Sequence, residues 1–252
     1  MTHKSLLLFI LVWALLSCKK EPGFVTKITA ENINISDSLE TVREIDSFIK
    51  PYRDHVNKDL GSVLAYSVDT YSKSDGELNT AIGNFMADMI YEQANPIFKS
   101  RTGKDIDFVL LNHGGIRSII SKGNITTRTA YQVMPFENAI VVLDLKGEQV
   151  RELIQYLVRN KRAHPVSKLN IELDSEFNLK KALIDNKPLD LNKNYLVCTN
   201  DYLANGGDRM NFFKTNDSLY VLDYKIRNAL IDYLQKVDTI NPKRDNRFIQ
   251  VK

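Results

Sequence analysis

Two glycine-rich segments combine polar side chains with paired glycines, a combination suited to binding a small polar ligand. The first glycine loop (111–117) contains Asn112, Gly114, Gly115 and Arg117 and directly follows an apolar run. Paired glycines let backbone N–H groups face a ligand, because no Cβ stands in the way. Asn112 offers an amide, and the planar guanidinium of Arg117 fits a phosphate or a carboxylate. A tight turn with a surface arginine is an equally good interpretation of these residues alone.

The second glycine loop (200–208) also follows an apolar run. Its candidate binding residues are Tyr202, Asn205, Gly206, Gly207 and Asp208. An aromatic ring beside an anion-capable turn suits a nucleoside, which presents a flat base and polar ribose hydroxyls. The alternative is that the tyrosine packs in the core and the aspartate caps a turn.

A third segment, the Pro-Phe turn (134–138), is expected to lie between a helix and a strand. It presents Phe136, with Asn138 at its end. A phenylalanine on such a turn either stacks on a base or closes the end of a core. The turn alone does not distinguish these two interpretations.

The elements that must position these segments follow from the apolar spacing. Helical spacing appears at 42–56, 82–90, 150–158 and 226–237, and strand-like runs appear at 62–71, 106–111, 138–145, 169–173 and 195–199. Because helices and strands intermix without strict alternation, the pattern predicts an α+β fold: a single layered domain with mixed β-sheets flanked by helices.

The N-terminal residues predict export. One lysine precedes a short apolar run that ends at Ser17-Cys18, which resembles a bacterial lipobox. The run is too short for a membrane span, which needs about 20 apolar residues. We therefore expect a signal peptide at 1–17, a lipidated Cys18 with a tether at 18–25, and a folded domain at 26–252. The protein would then be lipid-anchored to the cell envelope, on the periplasmic face or at the outer membrane.

Composition excludes several classes of protein. The formal net charge is +3, so the chain lacks the basic footprint of a nucleic-acid-binding protein. Apolar residues make up 43% of the chain, which is enough for a sizeable core. With Cys18 assigned to the lipid, Cys198 is left alone, so no internal disulfide is expected.

The order of these motifs resembles a known family. A helical motif at 79–89, the first glycine loop, the Pro-Phe turn and the second glycine loop follow one another, and the resemblance continues to 247–249. This sequence is similar to the C-terminal, substrate-binding domain of the 5'-nucleotidase family, which also includes UDP-sugar hydrolases and cyclic-nucleotide phosphodiesterases. The resemblance implies that domain's layered α+β fold.

The resemblance also implies roles for individual residues. A nucleoside base would lie between Phe136 and Tyr202, and Asp208 would accept hydrogen bonds from the ribose. Asn112 and Arg117 match positions near the base and phosphate ends of the substrate. A phosphate-directed arginine usual before the second helix has no match here, and Lys73 is only a loose substitute.

Hydrolysis in this family is carried by a separate domain with two metal ions, which needs several His and Asp ligands. This sequence has four histidines and no Asp-x-His, Gly-Asn-His-Asp/Glu or His-x-His motif. We therefore expect no catalytic residue, metal or cofactor in this chain. The leading hypothesis is the recognition half of a split 5'-nucleotidase, with divalent metals in a separate metallophosphatase lipoprotein. The alternatives are a stand-alone nucleotide- or nucleoside-binding lipoprotein and a domain that kept the fold but lost the ligand.

Overall fold

The computed structural model describes residues 23–36 and 38–251. The chain divides into two units, Met1–Ile49 and Lys50–Lys252. The described residues before Arg43 form no helix or strand. The predicted signal peptide, Cys18 and most of the tether lie outside the described residues, and the predicted domain bounds stay predictions.

The described residues contain six α-helices and twelve strands, which we number in chain order. The helices are α1 (Arg43–Leu60), α2 (Ala81–Thr102), α3 (Thr127–Val133), α4 (Gly147–Asn160), α5 (Asp201–Ala204) and α6 (Ile226–Leu234). The strands are β1 (Val63–Ser67), β2 (Phe108–Leu110), β3 (Gly123–Thr126), β4 (Ala139–Lys146), β5 (Val166–Ser167), β6 (Leu169–Leu173), β7 (Leu179–Ile184), β8 (Lys187–Pro188), β9 (Asn194–Asn200), β10 (Ser218–Lys225), β11 (Thr239–Ile240) and β12 (Phe248–Gln250). All four predicted helices and all five predicted strands are present.

Helix α2 shows how local sequence fixes these elements. The Thr80 hydroxyl accepts the Gly83 N–H at 3.1 Å and caps the N-terminus. Gly103 ends the helix at φ +74°, a left-handed conformation that glycine adopts at little cost. Helix α1 has the predicted apolar periodicity but no buried residue, and Ile45 is 59% exposed. Periodicity therefore identified this helix without predicting its burial.

Three sheets organise the second unit. The five-stranded sheet has the order β10-β4-β9-β2-β5, and sheets of three and four strands have the orders β11-β1-β3 and β12-β6-β7-β8. Parallel and antiparallel pairs occur together, as the mixed-sheet prediction requires.

Strand β4 is buried on both faces. Val142 packs in the apolar cluster that contains residues of α2 and α6, and Val141 packs in the cluster that contains α4. Alternate side chains therefore enter two cores, one on each side of the sheet. This layering confirms the predicted α+β domain.

Among the helices that the structure describes, none has the length and apolar composition needed to cross a bilayer.

Candidate nucleoside site

Strand topology brings the three sequence motifs to one edge of the five-stranded sheet. Strands β2 and β9 are parallel neighbours, with Phe108 opposite Val197, so both glycine loops leave the sheet on the same side. Strand β4 runs antiparallel to β9, with Ile140 opposite Asn200, so the Pro-Phe turn enters the sheet at that edge. Three segments far apart in sequence therefore meet.

A cavity of about 410 Å³ lies where these segments meet. Its lining residues are Asn112, Gly114, Arg117, Phe136, Asn138, Tyr202 and Asp208. All seven belong to the predicted binding residues. Three more of that set, Asn205, Gly206 and Gly207, line a second depression that shares Asn138 and Tyr202 with the first.

Gly115 is the one predicted residue that lines neither depression. It is buried, and a Cβ at this position would lie 3.0 Å from Asn112 Oδ1. Its role in the structure is thus to leave room for the Asn112 amide rather than to face the cavity.

The two aromatic rings are available to a ligand. Phe136 is 42% exposed and Tyr202 is 44% exposed, so neither is the closed core residue that the alternative interpretation required. The Arg117 guanidinium carbon lies 5.9 Å from the centroid of the Phe136 ring, within cation–π range. Both rings therefore border the cavity with one face or edge open.

The Tyr202 ring is fixed through its hydroxyl. That hydroxyl donates to Asp208 Oδ1 at 2.9 Å, and the Asp208 N–H donates to the hydroxyl oxygen at 3.2 Å. The hydrogen bond to the Asp208 carboxylate is the main cause that raises the pKa of Tyr202. Asp208 itself has φ +52°, and its carbonyl accepts a hydrogen bond from the Tyr156 hydroxyl at 2.9 Å. Among the described residues no donor bonds to Asp208 Oδ2, so this oxygen keeps its capacity to accept a ligand hydroxyl.

Asparagine amides tie the loops together. Asn200 donates through Nδ2 to Asn112 Oδ1 at 3.0 Å, and its Oδ1 accepts the Leu203 N–H at 2.8 Å. This single buried side chain caps α5 and also orients the amide of the first glycine loop. Asn138 donates to Asp201 Oδ1 at 2.8 Å, which joins the Pro-Phe turn to the second glycine loop.

Sequence reasoning missed Arg227, a buried arginine that holds the Pro-Phe turn. It is 5% exposed, and its Nη1 donates to the Phe136 carbonyl at 3.3 Å. Its Nη2 pairs with Glu137, and hydrogen bonds from Lys225 and Arg227 lower the pKa of Glu137 to about 2. Helical spacing in the sequence could have revealed that Arg227 is buried, because position 227 shares a helix face with the buried Leu230 and Leu234.

The two histidines near the site are held by internal contacts. His113 Nδ1 lies 3.1 Å from the Ala163 carbonyl, and the His113 N–H donates to His164 Nδ1 at 3.2 Å. Burial lowers the pKa of both rings, that of His164 to about 4, so both are neutral at pH 7. Within the described ranges, no group of three or more His, Cys, Asp or Glu side chains is arranged to hold a metal ion. Cys198 is buried, and burial raises the pKa of its thiol.

The sequence of this chain is similar to those of known proteins. The family described as "5'-nucleotidase, C-terminal domain" matches residues 60–215. The trifunctional nucleotide phosphoesterase protein YfkN of Bacillus subtilis is 27% identical over 241 residues, which cover 85% of this chain and 15% of that protein. A 5'-nucleotidase of Vibrio parahaemolyticus is 24% identical over 228 residues, covering 84% of this chain and 37% of that protein.

Solved structures share the fold. The 5'-nucleotidase precursor of Thermus thermophilus has a TM-score of 0.68 at 23% identity, and the match covers 83% of this chain and 43% of that one. The Haemophilus influenzae NAD nucleotidase has a TM-score of 0.61 at 20% identity, covering 83% and 42%. This chain thus spans less than half the length of the relatives it matches. From the family match over residues 60–215, the chain belongs to the 5'-nucleotidase C-terminal domain family.

Proposed function

We propose that this chain recognises the nucleoside part of a nucleotide in the cavity between the two glycine loops and the Pro-Phe turn. The observation that carries the proposal is the pair of half-exposed rings, Phe136 and Tyr202, on one cavity with Asp208. A cavity of about 410 Å³ is in the size range of small-molecule sites. In this arrangement the base stacks on the rings and Asp208 Oδ2 accepts a ribose hydroxyl.

The same geometry supports loose selectivity for the base. Stacking on an aromatic ring stabilises a bound base by about 1–3 kcal/mol and tolerates every base, since each has a π-face. Asn112 adds one side-chain amide whose Oδ1 is already engaged by Asn200. The Nδ2 group of Asn112 is then the remaining donor that could distinguish the edge of one base from that of another.

Titration calorimetry of the purified chain with adenosine and AMP tests this proposal. We expect Phe136→Ala and Tyr202→Ala each to weaken adenosine binding by about 5- to 150-fold, the equivalent of one lost stacking contact. Tyr66→Ala is the matched control, because Tyr66 is 41% exposed and lies in a different sheet, away from the cavity. No heat with either ligand, or an equal loss in the Tyr66 variant, would contradict nucleoside recognition.

We further propose that a separate metallophosphatase chain supplies the metal ions and the attacking water for phosphomonoester hydrolysis. The support is the sequence, which has four histidines and none of the motifs that a two-metal centre needs. A lipid on Cys18 would hold both chains on one membrane surface and raise their effective concentration.

Mixing tests the catalytic half of the proposal. A mixture of this chain and a metallophosphatase lipoprotein, with Mn²⁺ or Zn²⁺, should release phosphate from AMP faster than either protein alone. The Phe136→Ala variant of this chain should not produce that increase in rate. If the wild-type chain does not raise the rate of phosphate release, the split-enzyme proposal is refuted. Binding of the nucleoside or nucleotide in calorimetry would then support a binding function without hydrolysis.

A further inference from the structure

The backbone at Asp208 adopts a conformation that needs support from its surroundings. Asp208 has φ +52°, and the next residue, Arg209, has φ +64°. Both values lie in the left-handed region, which residues with a Cβ seldom adopt. Such residues persist where the surrounding structure holds them, and they concentrate at ligand sites. The hydrogen bonds of Asp208 therefore decide where its carboxylate points.

Two tyrosine hydroxyls provide those hydrogen bonds. The Tyr202 hydroxyl bonds to the Asp208 N–H and to its Oδ1 atom. The hydroxyl of Tyr156, a residue of α4, donates to the Asp208 carbonyl at 2.9 Å. Of the two tyrosines, only Tyr202 lines the cavity. Tyr156 therefore acts on the loop from outside the cavity, through the backbone of Asp208.

The Tyr156 ring is itself fixed by packing. Its centroid lies 5.9 Å from the ring of His164 and 5.9 Å from the ring of Phe212, and both pairs are edge-to-face. His164 in turn accepts the His113 N–H through Nδ1, so the same cluster contacts the first glycine loop. Burial, followed by the charge of Asp208, raises the pKa of the Tyr156 hydroxyl, which therefore keeps its proton at neutral pH. The donor to the Asp208 carbonyl is thus both held in place and protonated.

Asp208 Oδ2 is the acceptor that this arrangement presents to the cavity. Asp208 lines the cavity, and among the described residues no donor bonds to Oδ2. A hydrogen bond from a hydroxyl to a carboxylate is stronger than one between neutral groups, and it weakens steeply as its angle departs from linearity. A carboxylate without its backbone support therefore loses much of its ability to distinguish a sugar hydroxyl from a hydrogen atom.

We propose that Tyr156 is a positioning residue that sets the preference of the cavity for a ribose over a sugar without ring hydroxyls, and that it acts through Asp208. The Tyr156 hydroxyl fixes the Asp208 carbonyl, the left-handed backbone directs the carboxylate to the cavity, and Oδ2 accepts the ribose hydroxyl. Stacking on Phe136 and Tyr202 is the same for both sugars, so Tyr156 affects the hydroxyl contact alone. This inference rests on the proposed recognition of a nucleoside.

Titration calorimetry of the full chain with adenosine and with dideoxyadenosine, which lacks both ring hydroxyls, tests the inference. We expect the wild type to bind adenosine at least about 10-fold tighter than dideoxyadenosine, the equivalent of one hydrogen bond to a charged group. Tyr156→Phe keeps the ring and its packing and removes the hydroxyl alone. In that variant the preference for adenosine should fall by about 2- to 10-fold, the equivalent of one lost hydrogen bond. Binding of dideoxyadenosine should stay unchanged.

Two comparisons separate a positioning role from a loss of stability. Tyr195→Phe is the matched control, because the Tyr195 hydroxyl accepts the Asp190 N–H at 2.8 Å at the end of β9 remote from the second glycine loop. It should leave the preference for adenosine unchanged, even where thermal melts show a comparable loss of stability. In an Asp208→Ala background, Tyr156→Phe should no longer alter the preference, since the carboxylate through which it acts is gone.

Failure of this inference is distinguishable from failure of the proposed function. If the wild type binds both ligands equally, or if Tyr156→Phe keeps the full preference for adenosine, the inference is refuted and nucleoside recognition stands. An equal weakening of both ligands in Tyr156→Phe also refutes it, because Tyr156 would then support the fold and not the ribose contact. If neither ligand gives heat with the wild type, nucleoside recognition is refuted, and this inference with it.

Discussion

The close approach of Gly207 to the Tyr202 ring makes Gly207→Ala the sharpest test of the site geometry. A Cβ at position 207 would lie 2.5 Å from two atoms of the Tyr202 ring and 2.6 Å from a third. Real Cβ contacts do not occur at such distances, so the ring must move by about 1 Å to reach ordinary van der Waals separation. The backbone at Gly207 does not itself require glycine, because its φ is not in the left-handed region. The clash with the ring is therefore the whole perturbation.

Movement of the ring should remove one of the two stacking surfaces. The Tyr202 hydroxyl is held by two hydrogen bonds, of 2.9 and 3.2 Å, and a shift of that size disrupts both. The expected loss of binding free energy is about 1–3 kcal/mol, which weakens adenosine binding by about 5- to 150-fold. Global stability should change little, because the ring is 44% exposed and does not fill the core.

A double-mutant cycle read out by calorimetry measures this effect. In a Tyr202→Ala background the clash no longer exists, so adding Gly207→Ala should cost almost nothing. Thermal melts followed by circular dichroism check that every variant is folded. Wild-type affinity in Gly207→Ala, or the same loss with and without the tyrosine ring, would refute the conclusion that Gly207 acts through Tyr202.

Two further predictions concern side chains behind the site. Arg227→Met should weaken adenosine binding several-fold and lower the free energy of unfolding by about 1–3 kcal/mol, because the Phe136 carbonyl and Glu137 lose a buried donor. Calorimetry measures the first effect and urea unfolding the second, and Lys225→Met is the control because it removes only the exposed partner of Glu137. Unchanged adenosine affinity in Arg227→Met would contradict the conclusion that Arg227 positions the Pro-Phe turn. His164 should make the fold sensitive to acid: its pKa is about 4 when folded against 6.5 ordinarily, so the unfolded chain binds the proton first. The free energy of unfolding should then fall by up to about 3 kcal/mol as pH drops from 6.5 to 4. Urea titrations of His164→Gln should show a correspondingly shallower pH dependence, and identical slopes in the two proteins would exclude this histidine as the cause.

Much of the fold was predictable because the larger elements carry strong local patterns. Strand β9, predicted at 195–199 and observed as Asn194–Asn200, contains the uninterrupted apolar run 195–198 and is buried on both faces. The two-residue strands had no such signal. Strands β5, β8 and β11 have two residues each, and they exist because neighbouring strands offer hydrogen-bonding edges. That information lies in tertiary structure, so spacing along the sequence could not reveal it.

The candidate site was predictable in its residues but not in its geometry. Paired glycines marked both loops, and Tyr202 marked the second. Seven residues of the predicted set line one cavity and three more line the neighbouring depression, while their binding roles stay predictions. The partner of the Tyr202 hydroxyl became visible only in the structure, where Asp208 adopts φ +52° and turns its carboxylate back to the ring. Arg227 lies 91 positions from the carbonyl it holds. A contact between residues so far apart in sequence depends on how α6 packs against the sheet, which the local sequence pattern does not show.

The register between β4 and β9 has a consequence for ligand-linked stability. The Pro-Phe turn and the second glycine loop face each other only because Ile140 lies opposite Asn200 in that ladder. The unfolded chain, in which the ladder is absent, has no equivalent cavity, so any ligand of the cavity binds the folded state alone. By mass action, a ligand at about 100 times its dissociation constant then adds about 2.7 kcal/mol to the free energy of unfolding. The melting temperature of this domain therefore reports whether the cavity is occupied. A thermal-shift screen of nucleosides and nucleotides can then detect ligand binding without any enzymatic assay.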